Sequence, residues 1–302
     1  MKANDCALRR WLIVRQGAIG DTILLSSLIR FIRSAIPSAW IEVMGVYERV
    51  ELLVGDHMAD SALSSERIGM EELWMEHGGV SGDLSQFLGS YDVILYFAGS
   101  NRERLRKRLQ IRPDMIVRVH PALPDEQAYM HCTDHYISVL HGILPRKETP
   151  APQLDLRQAE ILEAQNYLES LGIDRRNALL VGLHVGAGGR AKRAPLRLFT
   201  LAVKSLQSQR PIVCLVPQGP ADHEIVSRFV KQSGAESIFI LNELPLRKLA
   251  SVLSLLEMFI GNDSGITHMA AAVGRPTLAL FSTGNPRIWR PLGKRVRTMI
   301  VK

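Results

Sequence analysis

Short apolar runs alternate with longer amphipathic stretches along the whole chain of 302 residues. The first unit of this pattern is the clearest. Trp11-Leu-Ile-Val14 is apolar without interruption, as a strand covered on both faces must be. Gln16 to Gly20 makes a tight loop, and Thr22 to Ala35 carries Leu24, Leu28, Phe31 and Ala35 at helical spacing. Pro37 stops that helix and Ile41–Met44 begins the next strand, which completes a βαβ unit. Further strands are predicted at Val93–Phe97 and Met115–Val119, and a helix over Ala128–Gly142.

Three prolines and mixed charge between Leu144 and Gln153 mark an interdomain linker. The pattern then resumes. A helix over Arg157–Leu171 precedes a strand at Ala178–His184. Helices are expected from Leu196, Ala221, Leu246 and Gly265, between strands at Ile212–Val216, Ser237–Ile240, Met258–Ile260 and Thr277–Phe281. The expected class is α/β, with two doubly wound domains, 1–150 and 151–302, facing each other across a cleft. Ligands of such sheets bind beyond the carboxyl ends of the strands, so the loops after strands are the places to search.

Composition narrows the function classes. The formal charge of +7 favours anionic partners, but no nucleic-acid motif accompanies it. Met1–Arg10 is polar and lacks the apolar core of a signal peptide, and no apolar run reaches the ~18 residues of a membrane span. A cytoplasmic protein is expected. Cys6, Cys132 and Cys214 are scattered, without metal-ligand spacing. His131-Cys132-x-x-His135 offers too few ligands for a structural zinc, so no metal and no cofactor are expected.

Three post-strand loops carry candidate chemistry. Arg15-Gln-Gly-Ala-Ile-Gly-Asp21 has glycines for close approach but not the G-x-G-x-x-G spacing of a dinucleotide site. Asp21, next to Gly20, reads either as a helix-capping carboxylate or as a general base. His184 to Pro195 is glycine-rich and holds Arg190, Lys192 and Arg193, suited to a diphosphate, although a solvated mobile loop has the same composition. Gly261-Asn-Asp-Ser-Gly-Ile-Thr-His268 runs from a strand into a helix, where free backbone N–H groups at a positive helix end suit an anion. Asp263 repels phosphate and is better placed on sugar hydroxyls. Arg102 and Arg104 open a basic run, with Arg106, Lys107 and Arg108, that reads as an acceptor-binding surface or as a solvated helix face.

Taken together and in order, these segments resemble the heptosyltransferase family of inverting glycosyltransferases, glycosyltransferase family 9. The resemblance rests on Ile19-Gly20-Asp21, on His184, Gly186, Ala187, Lys192 and Pro195, and on Asn262 through His268. It extends to Ala270-Ala271, Gly274-Arg-Pro-Thr277, Leu280-Phe281 and Trp289-Arg-Pro291. It implies the GT-B fold of two Rossmann-like domains, the first for the acceptor and the second for the donor. It implies Asp21 as catalytic base and Lys192 on the donor diphosphate, with Gly20, Arg190, Asn262, Ser264, Gly265 and His268 lining the donor site. Asp263 would meet the donor sugar and Glu224 the ribose. The implied partners are a nucleotide-sugar donor (ADP-heptose) and a lipopolysaccharide-core acceptor, with peripheral contact to an anionic inner-membrane surface.

The chain departs from the family pattern at Ala194, where a tryptophan is usual, at Ser282, where a glycine is usual, and in ending soon after its last expected strand. Two other readings share these features. One is a nucleotide-sugar epimerase of the same architecture, and the other a degenerate donor-binding partner subunit.

Overall fold

The structure is a computed structural model and describes residues 9–66, 69–75, 77–173, 177–234 and 237–301. Cys6 and most of the polar leader lie outside the described residues. The chain forms two compact units, residues 1–150 and 151–302.

The first unit runs β1 (Arg10–Arg15), α1 (Ile19–Ala35), β2 (Trp40–Gly45), α2 (Tyr47–Val50), β3 (Ser61–Ser64), α3 (Gly82–Gly89), β4 (Val93–Ala98), α4 (Arg102–Leu109), β5 (Ile116–Pro121) and α5 (Cys132–Ser138). Its sheet has the order β3-β2-β1-β4-β5, and every pairing is parallel. The strand order reverses between β1 and β4, so the crevice above this sheet opens beyond Arg15 and Ala98. Leu12, Val14, Ile94 and Tyr96 pack with Leu84, Leu88 and Leu105 into one core.

Three details differ from the periodicity. α1 begins at Ile19, three residues before the expected start, so Asp21 lies inside its first turn. The helix expected over Ala128–Gly142 is confined to Cys132–Ser138. Tyr129 takes a left-handed φ of 50° ahead of it, and Gly142, at φ 77°, closes the turns that follow. β3 was not anticipated, because Ser-Ala-Leu-Ser has no apolar run and is only half buried.

The second unit runs α6 (Gln158–Ser170), β6 (Leu179–His184), α7 (Leu196–Gln207), β7 (Ile212–Gln218), α8 (His223–Ser233), β8 (Ile238–Asn242), α9 (Leu246–Leu253), β9 (Met258–Asn262), α10 (Gly265–Ala272), β10 (Thr277–Phe281), α11 (Pro286–Trp289) and β11 (Val296–Ile300). The order is β11-β10-β9-β6-β7-β8, again all parallel. Phe199 and Phe229 pack on Leu183, Val216, Ile260 and Leu280 at its centre. The switch point falls between β6 and β9, whose last residues are His184 and Asn262. β11 is an edge strand with mostly exposed side chains, which is why no apolar run announces it.

Candidate active site

In the first unit the site is built on Arg15. It ends β1 and is only 4 % exposed, so its guanidinium must find partners inside the protein. Its terminal nitrogens donate to Asp21 Oδ2 at 3.1 Å and to the Gln16 carbonyl, and its Nε meets the Tyr136 hydroxyl at 3.4 Å. Asp21 Oδ2 also accepts the Ala18 N–H at 3.1 Å, so the carboxylate does close the open end of α1. About a fifth of its side chain still faces solvent. Gly17 leaves no room for a methyl group: a Cβ there would sit 2.9 Å from that of Asp21. Arg49 donates to the Gly17 carbonyl at 2.6 Å, so the loop carrying Gly17 and leading to Gly20 is held from both sides. Burial keeps the Tyr136 phenol far above its ordinary range and pushes the Cys132 thiol up to about 12. Neither titrates near neutrality beside Asp21.

In the second unit the switch point gathers the loops after β6 and β9. Asn262 is fully buried, and its side chain ties the two loops together. Its Oδ1 accepts the Ala194 N–H at 2.9 Å, and its Nδ2 donates to the carbonyls of Val185 at 2.9 Å and Gly186 at 3.1 Å. Lys192 is thereby presented to Asp263, with Nζ 2.7 Å from Oδ2. The lysine side chain is 43 % exposed and the aspartate 5 %, so the ammonium is the reachable member of the pair. Ser264 caps α10, accepting from the Thr267 N–H at 3.4 Å. The N–H groups of Gly265 and Ile266, in the first turn, have no acceptor within the helix and mark its positive end.

Behind Ser264 stands His184, whose Nδ1 is 2.9 Å from Ser264 Oγ and whose Nε2 is 3.5 Å from Asp222 Oδ2. Asp222 also accepts from the Gly219 N–H at 3.3 Å and faces Arg193 at 3.8 Å. Burial works against the Asp222 charge. The His184 contact, the Gly219 N–H and Arg193 outweigh it and hold the carboxyl below its usual range. Gly186 lies directly against this carboxylate, and any Cβ there would overlap Asp222 Oδ1.

Lys192, Asp263, Ser264 and Gly265 therefore form one cluster. Arg190 and Glu224 pair with each other at 3.2 Å, both largely exposed. His268 is buried in α10. In the first unit Arg102 is exposed and donates to the Gly99 carbonyl at 3.0 Å. Arg104 is committed otherwise: it donates to the carbonyls of Trp74, at 2.6 Å, and Met75. Among the described residues no group of three or more His, Cys, Asp or Glu could hold a metal ion. His131 and His135 turn ring nitrogens to Thr133 and the Pro121 carbonyl, each at 2.8 Å. Sequence reasoning passed over Arg15, Asp222 and Tyr136 as site-building residues. The available signal was a charge at the end of an apolar strand, which has to be paired.

The description "Glycosyltransferase family 9 (heptosyltransferase)" fits residues 112–302. The chain belongs to that family. It is a glycosyltransferase. Lipopolysaccharide heptosyltransferase 2 of Salmonella typhimurium is 23 % identical over 95 % of this chain and 87 % of its own. A glycosyl transferase family 9 structure from Veillonella parvula superposes with a TM-score of 0.77 at 19 % identity, over 100 % of this chain and 88 % of that one. The E. coli ADP-heptose lps heptosyltransferase II structure gives a TM-score of 0.74 at 20 % identity, over 96 % and 90 %. The fold of this family 9 member is thus GT-B. Among its described residues no helix is long and apolar enough to cross a membrane.

Proposed function

We propose that this glycosyltransferase moves a heptose from ADP-heptose to a lipopolysaccharide-core acceptor, with inversion at the anomeric carbon. The observation that carries the reading is the cluster at the switch point of the second unit: an accessible lysine ammonium, a buried carboxylate and the N-terminus of α10, whose first N–H groups have no acceptor within the helix. The named relatives support the donor and acceptor, since they are a lipopolysaccharide heptosyltransferase and an ADP-heptose lps heptosyltransferase.

In this reading the second unit takes the donor. Lys192 and the N–H groups of Gly265 and Ile266 stabilise the charge that grows on the departing diphosphate. Asp263 takes hydrogen bonds from sugar hydroxyls while it orients the lysine. His184 fixes the Ser264 hydroxyl, and Asn262 holds the lysine loop. Arg190 and Glu224, exposed beside each other, serve the nucleoside end. The first unit takes the acceptor. Asp21 accepts the proton of the attacking hydroxyl as the new C–O bond forms and the bond to the diphosphate breaks. Arg15 holds that carboxylate in position. Net charge +7 and the exposed Arg102 favour an anionic acceptor and peripheral contact with an anionic membrane surface.

The test is transfer from ADP-heptose to core acceptors, with anomeric configuration read by NMR. Asp21→Ala is expected to lower kcat by about two to four orders of magnitude and to leave ADP affinity, measured by calorimetry, unchanged. An Asp21→Ala enzyme with wild-type turnover would remove the base assignment.

A further inference from the structure

In the first unit α5 packs against α1 and turns Tyr136 inward, with no part of its side chain exposed. The ring lies edge-on to Phe97 of β4, with centroids 5.0 Å apart, and the hydroxyl hydrogen-bonds the Cys132 thiol one turn earlier on α5. The helix around it is anchored. The His135 ring holds the Pro121 carbonyl at the end of β5 at 2.8 Å, and Asp134 accepts from the Thr149 hydroxyl at 2.5 Å. Burial keeps the phenol neutral, so Tyr136 offers its neighbours a lone pair in a fixed place rather than a charge.

Arg15 uses that lone pair. Each of its three guanidinium nitrogens has a partner of its own: Nε the Tyr136 hydroxyl, one terminal nitrogen the Gln16 carbonyl, and the other Asp21 Oδ2. A planar group held at three corners cannot turn without releasing one of them. The outcome falls on a single oxygen of the carboxylate. Arg15 and the Ala18 N–H both donate to Asp21 Oδ2, and among the described residues Oδ1 has no donor.

We propose that Tyr136 is a positioning residue for sugar transfer: acting through Arg15, it commits Oδ2 of Asp21 to the protein and leaves Oδ1 to take the proton of the attacking hydroxyl. The inference rests on the reading of Asp21 as the base. Without the Tyr136 hydroxyl the Arg15 Nε–H is buried without its acceptor, the guanidinium turns to find another, and its grip on Oδ2 loosens. Tyr136 itself is fully covered and touches neither substrate, so its loss falls on turnover and not on binding.

The experiment has a turnover arm and a spectroscopic arm, both on the full-length protein. Tyr136→Phe keeps the ring and removes only the hydroxyl. It is expected to lower kcat about tenfold and to leave donor and acceptor KM unchanged. In the Asp21→Ala background the same substitution is expected to cause no further loss of the residual turnover, because the group it acts on is gone. A merely structural role would lower turnover by the same factor in both backgrounds. The Arg15 Nε–H resonance, assigned by its loss in Arg15→Lys, is expected to be protected from solvent exchange in the wild-type protein, and to shift and exchange faster in Tyr136→Phe. The remaining amide spectrum reports that the variant is folded. A freely exchanging Arg15 Nε–H in the wild type, wild-type kcat in Tyr136→Phe, or an equal fold loss in the Asp21→Ala background would overturn the inference. Wild-type turnover in Asp21→Ala would strike the base reading instead, while the Arg15 resonance still decides whether Tyr136 sets the guanidinium.

Discussion

At the scale of single residues, the charges that matter are arranged in layers. Lys192 reaches solvent, Asp263 stands behind it, and a second charged set, Asp222 with His184 and Arg193, stands behind Ser264. Asp222 is a positioning residue that acts through His184. Its folded carboxyl lies below the usual range, so it favours the native state above its unfolded pKa. That contribution disappears as pH falls through the folded value. Urea midpoints of wild type and Asp222→Asn should therefore be furthest apart at about pH 6 and draw together only as pH falls below the ordinary carboxylate range. A constant offset across that range would show that the charge of Asp222 contributes nothing. The difference at pH 6 is expected to appear in donor KM as well, because His184 loses the partner that orients it toward Ser264.

At the scale of elements, the site depends on how closely loops can approach. The turn after β6 passes so near Asp222 that position 186 tolerates no side chain. Gly186→Ala must push either that loop or the carboxylate aside, at a cost of about 1–3 kcal/mol. A lowered thermal midpoint is expected, together with weaker ADP binding, since the same loop carries Lys192. Normal ADP affinity in Gly186→Ala would mean that the loop's path does not set the position of the lysine. α4 teaches a related lesson. Its basic residues read as a uniform charged surface along the chain, yet Arg104 and Arg108 turn inward onto backbone carbonyls while Arg102 and Lys107 stay exposed. Charge runs are usually solvated faces. Here two of the five basic residues are scaffolding for the Met70–Trp74 turn.

At the scale of the whole molecule, two doubly wound units each offer one crevice at the place where strand order reverses. A ligand held by one unit stabilises that unit by mass action, about 2.7 kcal/mol at one hundred times its Kd. Under saturating ADP, hydrogen exchange is expected to slow in the segments 182–194 and 260–268. The segments 13–21 and 93–101 of the first unit are expected to stay as they were. Protection concentrated in the first unit would reverse the proposed division of labour.

The alternation of strands and helices was legible along the chain because parallel strands covered on both faces must be apolar throughout. β1, β4, β6, β7, β9 and β10 all announce themselves in this way. The family was legible too, since the turn from Asn262 to His268 needs small and polar residues in a fixed order to open a helix. β3 and β11 were not, for edge strands with half-exposed side chains carry no such run. Nor could any local pattern pair Arg15 with Tyr136, 121 residues away, or show that Asn262 spends its side chain on the backbone around Gly186. Local sequence carries the period of an element and the residues that cap it. Which buried charge meets which partner depends on strand order and register, and those exist only once the sheet has formed.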